Sequence, residues 1–168
     1  KAQGKRRAQR QRAALNPLAF KLPLWDPDRF LEAQVDRVAW CFGAAARWML
    51  LAILAIGGLL LAWHFADFSR AAATQLGHGR TLILLWIAFP VVKGLHELAH
   101  AFAVKAYGGE VHEMGVTMLM LTPVPYVDAS ASIAFEDKRQ RVAVGAAGIA
   151  AELLLATLAL VLWLLCEP

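Results

Sequence analysis

Long apolar runs with few polar interruptions dominate the chain. The first, from Trp48 to Phe65, predicts a membrane-spanning helix over 48–65. At helical rise its length is about 27 Å, close to a hydrocarbon core. Trp48 and Trp63 suit the two headgroup belts, and Arg47 can snorkel to one of them. His64 and Asp67, just beyond, read as ordinary interfacial polar residues. A second run predicts a span over 81–107, with Pro90 expected to kink it, and a third predicts a span over 142–165. In the third, Ala143, Ala147 and Ala151 recur every four residues beside Gly148, a small-residue face expected to pack on the second span.

The segments between are of other kinds. Residues 1–15 are basic and polar, a cytoplasmic tail, and 16–47 read as a membrane-surface segment followed by a short helix. Prolines break the apolar stretch Asn16 to Trp25, and Trp25 and Phe30 suit the headgroup region. Asp26-Pro27 then offers a helix start. Residues 66–80 read as a short loop. Gly108-Gly109 predicts a left-handed cap ending the second span. Within the 108–141 loop, Val111, Met114, Val116 and Met118 to Leu121 form an apolar run too short to cross a bilayer, and Pro123 and Pro125 exclude a helix there. The expectation is a re-entrant strand or hairpin, its backbone covered by protein or water. The fold class is thus an all-α membrane protein of about three transmembrane helices, with a short re-entrant strand or hairpin between the second and third and a membrane core over 48–168.

Composition agrees. Hydrophobic residues make up 59% and charged residues 18%, and mean hydropathy is +0.50. Soluble domains carry about 45–50% apolar and about 25% charged residues. The net charge of +4 is concentrated in Lys1, Lys5, Arg6, Arg7, Arg10 and Arg12. No nucleic-acid motif or aromatic interleaving accompanies them, so the partner is membrane lipid and not nucleic acid. With Lys105, Lys138, Arg139 and Arg141 on the side of the tail and Arg70 and Arg80 on the other, the cation bias predicts a cytoplasmic N-terminus. Cys41 and Cys166 fall on opposite sides, too far apart to pair, and read as packing residues.

The chemistry lies in His96-Glu97-Leu98-Ala99-His100. Histidines at i and i+4 stand about 40° apart on one helix face, so both rings can hold one zinc ion. A glutamate beside the first histidine can act as general base on a zinc-bound water. The metal ligands are therefore His96 and His100, the catalytic residue Glu97 and the cofactor Zn2+. About seven helical residues, or roughly 10 Å, separate His100 from the cytoplasmic end of the span. A catalytic zinc needs a third protein ligand. Candidates within the chain are Asp128, Glu113, His112 and Glu152. Asp128, followed by Ala129-Ser130, reads first as a helix N-cap. Glu152 reads as a ligand, a substrate-positioning acid or a partner for Lys93, whose ammonium needs a counter-charge inside a membrane.

These residues resemble the site-2-protease family of intramembrane zinc metalloproteases, in particular its bacterial peptide zinc metalloprotease branch. His96 to Phe102, followed by Gly108-Gly109, is similar to the family's zinc helix. Gly148-Ile149-Ala150-Ala151-Glu152 resembles its Gly-Pro-x-x-Asn, departing at Ile149 and Glu152, and Thr122 to Ser130 also looks like this branch. The resemblance covers about residues 16–165. It implies an integral protein of the bacterial inner membrane that hydrolyses peptide bonds of membrane-associated or exported peptides. It also implies an aspartate ligand in an Asp-Gly motif on a later span. This sequence contains no Asp-Gly, so that ligand is expected beyond Pro168, and the 168 residues alone are expected to bind zinc poorly. Two other readings compete: a non-proteolytic component of a peptide export assembly, and a metal transporter or sensor. The second would need more ligands along the spans than His64 and Glu152 provide.

Overall fold

The computed structural model describes residues 19–119 and 122–166. The expectations for the basic tail, and for Met120 and Leu121, lie outside the described residues. In chain order the elements are β1 (Ala19–Trp25), α1 (Asp28–Val38), α2 (Ala44–Trp63), α3 (Phe65–Leu76), α4 (Gly79–Ala106), β2 (Met114–Leu119), β3 (Thr122–Val127) and α5 (Lys138–Cys166). Short 3-10 turns at Ala39–Phe42 and Ser130–Ala134 lead into α2 and toward α5.

Three helices, α2, α4 and α5, are long and apolar enough to cross a membrane. They extend the predicted spans by a few residues at one or both ends, and the protein is a helical membrane protein with a small sheet. Helices α4 and α5 run antiparallel: Lys93 meets Glu152 near one end of their contact and His100 meets Val144 near the other. Helix α2 meets α5 where a Cβ on Gly57 would lie 2.7 Å from Cγ2 of Thr157. Only glycine allows that approach, as close helix packing in lipid requires. Pro90 sits inside α4 without ending it. Its missing N–H leaves the Trp86 carbonyl without the usual i+4 donor.

The small-residue face packs on α4 at Gly148, as expected, but not along its whole length. The α5 residues that meet α4 are Val144, Gly148 and Glu152. Ala143, Ala147 and Ala151, one residue earlier, line a cleft between α5 and α2, with Ala147 also against the core. Neighbouring residues point about 100° apart around a helix, so a one-residue offset moves the stripe to another partner.

One further expectation is made specific and one is overturned. The proline-broken segment before Trp25 forms no long helix, as expected, and is strand β1, which pairs antiparallel with β2 to give the order β1-β2-β3. The 66–80 loop is largely helix α3, joined to α2 by a turn at His64. Phe68 of α3 stacks edge-on against Trp163. The sequence Ala71-Ala72-Ala73 has high helix propensity, and an amphipathic single face suffices for a helix on a membrane surface.

Strand register explains how the sheet tolerates prolines. The Asp128 N–H donates to the Glu113 carbonyl at 2.9 Å, which makes 113–128 a hydrogen-bonded pair. Alternation then makes 115–126 and 117–124 bonded pairs, while Pro125–Val116 and Pro123–Met118 are not. The same alternation bonds Leu22–Val116 and Phe20–Met118 across to β1 and leaves Pro23–Gly115 unbonded. All three prolines occupy positions where no ladder donor is missed. At the β1 bulge the strands close so far that a Cβ on Gly115 would overlap the Leu22 carbonyl.

The buried core sits at the sheet end of the bundle. Leu31, Ala101, Ala103, Val104, Val111 and Val144 form it, flanked by Phe42, Phe102, Tyr107 and Phe135. Trp25 packs on Phe30 and Phe30 on Phe102, joining the first strand and α1 to the C-terminal half of α4. Helix α4 ends in the expected cap: Gly108 has φ +82°, its N–H bonds the Lys105 carbonyl and the Gly109 N–H bonds the Val104 carbonyl, both at 2.9 Å. Asp28 then ties three elements together. Both its oxygens accept from Lys105 at 2.9 Å, and Oδ1 accepts the Val111 N–H at 3.1 Å.

Candidate metal centre

Helix periodicity places His96 and His100 on the α4 face toward α5, and the structure turns both Nε2 atoms to the same point, 3.0 Å apart. Two nitrogens each 2.0–2.1 Å from a tetrahedral zinc stand about 3.3 Å apart. The observed spacing fits a shared ion with a slight opening of the pair. Opposite them stands Gly148, where a Cβ would lie 2.4 Å from Nε2 of His96 and 2.5 Å from Nε2 of His100. The absent side chain leaves the space that both nitrogens face.

The outer nitrogens are occupied differently. Nδ1 of His100 lies 2.6 Å from the Val144 carbonyl, which can only accept, so this nitrogen carries the proton. Nδ1 of His96 is buried, with Oε1 of Glu152 3.0 Å away but off the line of an ideal hydrogen bond. Oε1 of Glu152 also accepts from Lys93 at 2.7 Å. With Nδ1 of His100 protonated toward Val144, its Nε2 presents a lone pair to Nε2 of His96. A shared cation, or an added proton, makes that arrangement favourable.

Glu97 projects to another side of α4, where Oε2 accepts the Val127 N–H from β3 at 3.2 Å. That N–H points away from β2, on the same edge as the Pro123 and Pro125 carbonyls. Pro125 in turn lies over Gly94, with 3.9 Å to the position of a Cβ there. The outer edge of the hairpin therefore runs beside Gly94 and Glu97 of α4.

Of the four further candidates, none joins the Nε2 pair. Glu152 is the counter-charge of Lys93 and stands on the Nδ1 side of His96. Asp128 accepts the Ser130 N–H at 3.0 Å in an Asx turn ahead of the 3-10 turn, whose N-cap is Ala129 and not Asp128 as expected. Glu113 accepts from the Tyr126 hydroxyl at 2.7 Å, which with burial pushes that phenol up to about 12, burial contributing most. His112 pairs with Glu110 at 3.1 Å and Asp26 at 3.3 Å, and those carboxylates raise its pKa. Among the described residues, no three His, Cys, Asp or Glu side chains converge on one point. Sequence reasoning missed the roles of Val144, Gly148 and Val127. Val144 and Val127 act through backbone atoms, which leave no residue-type signal. Gly148 gave one, but it was read as packing.

Searches against protein-family models, curated proteins and solved structures found no match to this chain.

Proposed function

We propose that this protein is an intramembrane zinc metalloendopeptidase of the site-2-protease type, acting on membrane-associated or exported peptides. The observation that carries the reading is the convergence of the two Nε2 atoms opposite Gly148, with Glu97 on the same helix and a strand edge beside it. His96 and His100 would hold the ion, with a third protein ligand supplied from outside the described residues. Zinc supplies Lewis acidity toward a water or a peptide carbonyl when bound. The chain's own residues do the rest. The Val144 carbonyl fixes the His100 tautomer, and the Glu152 carboxylate stands beside Nδ1 of His96. Glu97 is the general base that takes a proton and returns it to the leaving amine. The Val127 N–H holds its carboxylate in place. A helical substrate must first expose its amides. The outer edge of β3, with the carbonyls of Pro123 and Pro125 as acceptors, is suited to receiving it as an added strand. We place the protein in a bacterial inner membrane with its sheet end cytoplasmic, on the cation bias.

The test compares Glu97→Gln with His96→Ala/His100→Ala in the full-length protein. The expected result is loss of cleavage of a membrane-inserted peptide by both, with zinc content retained only in Glu97→Gln. Unchanged processing by Glu97→Gln would favour a non-proteolytic role in an export assembly. An unmodified protein without bound metal would overturn the metal reading itself.

A further inference from the structure

Between α2 and α5 a cleft of about 820 Å³ opens on the side of the bundle nearest the sheet. The two helices touch at Gly57 and Thr157, beyond it. Its walls are Ala46, Leu50 and Ile53 of α2 and Ala146, Ala150 and Leu154 of α5, with Ala99 of α4 at its back. Its volume matches a site for one drug-sized or lipid-sized molecule. A cleft in the side of a membrane bundle must be filled by acyl chain or protein.

What distinguishes this cleft is its rim. Arg47, Lys138 and Arg139 all line it, and none has a carboxylate partner among the described residues. The nearest acid in sequence, Asp137, accepts the backbone N–H of Arg139 at 2.7 Å and forms no ion pair with these cations. All three lie at the same end of the bundle, where α2 and α5 begin, and Trp40 stands beside them. An apolar slot below three unpaired cations and an aromatic belt residue complements a phosphodiester with acyl chains attached. It does not complement a zwitterionic headgroup as well, nor an uncharged helix.

We propose that this cleft is a binding site for one anionic glycerophospholipid, its phosphate held by Arg47, Lys138 and Arg139 and an acyl chain lying between α2 and α5. The inference is independent of any enzymatic activity. The lipid would brace α5 from behind, because Ala147 and Ala151, flanking Gly148, face the cleft while Gly148 faces the histidines.

Trp40 is the reporter. The full-length protein carrying Trp40 as its sole tryptophan, the others replaced by phenylalanine, is reconstituted in phosphatidylcholine vesicles. Either phosphatidylglycerol or phosphatidylcholine, brominated near the glycerol end of the acyl chains, is then titrated in. The expected result is a several-fold preference of phosphatidylglycerol as quencher. Arg47→Gln, Lys138→Gln and Arg139→Gln should each lower it, by up to about fivefold per cation. Ala150→Phe should abolish it with all three cations present, by filling the slot. Native mass spectrometry of the unmodified full-length protein, extracted from mixed vesicles, gives a second readout that requires no tryptophan replacement. It should retain one phosphatidylglycerol and lose it in the triple glutamine variant. Equal quenching by the two lipids would overturn the proposal, as would a Trp40 that neither lipid reaches because a second protein segment fills the cleft.

Discussion

Lys93 donates to Glu152 across 2.7 Å, joining α4 to α5 through residues 59 positions apart in sequence. The same carboxylate oxygen lies 3.0 Å from Nδ1 of His96, so one acid serves as counter-charge to an ammonium and as outer support of a candidate metal ligand. Each side chain of the pair is about one-third exposed, at 33% and 31%. Removing one partner of a fully buried pair costs about 3–5 kcal/mol, while replacing both by apolar groups is often neutral. Partial exposure lowers the first figure here. Glu152→Leu is therefore expected to lower the melting temperature, and Lys93→Met/Glu152→Leu to lower it much less. Zinc affinity separates the two roles. It should fall on the order of 10–100-fold in both variants, because both lose the acceptor beside His96. Chelator competition measures the affinity and thermal unfolding in detergent measures the stability. Recovery of zinc affinity in the double variant would show that Glu152 serves Lys93 alone.

Gly148 gives a sharper separation of packing from chemistry. Alanine adds one methyl, at 2.4–2.5 Å from both Nε2 atoms. The rings must turn away, and with them the point on which they converge. Alanine is also the better helix former, by about 1 kcal/mol in a helix interior. Gly148→Ala should thus unfold no more readily in the metal-free state than the unmodified protein, once the rings have moved aside. Its zinc affinity should nonetheless drop by at least about tenfold, the scale on which displaced metal ligands are felt. Gly145, with open space around its Cβ position, is the control. Gly145→Ala should leave zinc binding unchanged.

Much of this architecture is legible in the residues, and the gaps have physical causes. The spans read directly because an apolar run of the right length has few other uses. The His96–His100 pair reads because helical spacing converts sequence separation into angle. The left-handed cap at Gly108 reads because few other residues tolerate its φ of +82°. Strand β1 does not read, since its partner lies almost a hundred residues away and its prolines suggest a break. They are harmless only in a register that the sequence alone does not reveal. Helix α3 was lost to a polar composition that suits a surface helix as well as a loop. The separation of the Ala143 stripe from the Gly148 stripe turns on one residue of helical phase, which no local pattern fixes.

The sheet makes a prediction about where proline is allowed. Met118 pairs with Phe20 at a bonded position of the central strand, and its N–H is committed to β1. Met118→Pro removes that donor and is expected to detach β1. On the proposed function it abolishes cleavage and leaves zinc content intact. Pro125→Ala, at an unbonded position relative to β2, should leave the ladder as it is. It adds a donor on the outer edge beside Glu97. Amide exchange at Phe20 and Leu22 checks the first outcome. Full protection there in Met118→Pro would mean that the register is wrong.

Asp28 ties the sheet end of the bundle to pH. The Lys105 hydrogen bonds, followed by the Val111 N–H, hold its carboxyl below the ordinary value of 3.8, against a smaller opposing effect of burial. A carboxyl whose folded pKa is depressed contributes stability that is fully present above the unfolded value, and loses it as pH falls through the folded one. Asp28→Asn keeps an acceptor for Val111 but removes the charge opposite Lys105, whose side chain is only 12% exposed. The cost at neutral pH is expected to be about 1.5–3 kcal/mol, the range for a hydrogen bond to a charged group. As pH drops below 3.8 the unmodified protein loses the same contribution, so the melting temperatures of the two proteins should converge there. The pH-dependent difference between them isolates Asp28 from every other carboxylate, because the rest titrate in both. A gap that stays constant from neutral pH down to the acid limit would show that Asp28 stabilises this corner by shape and not by charge.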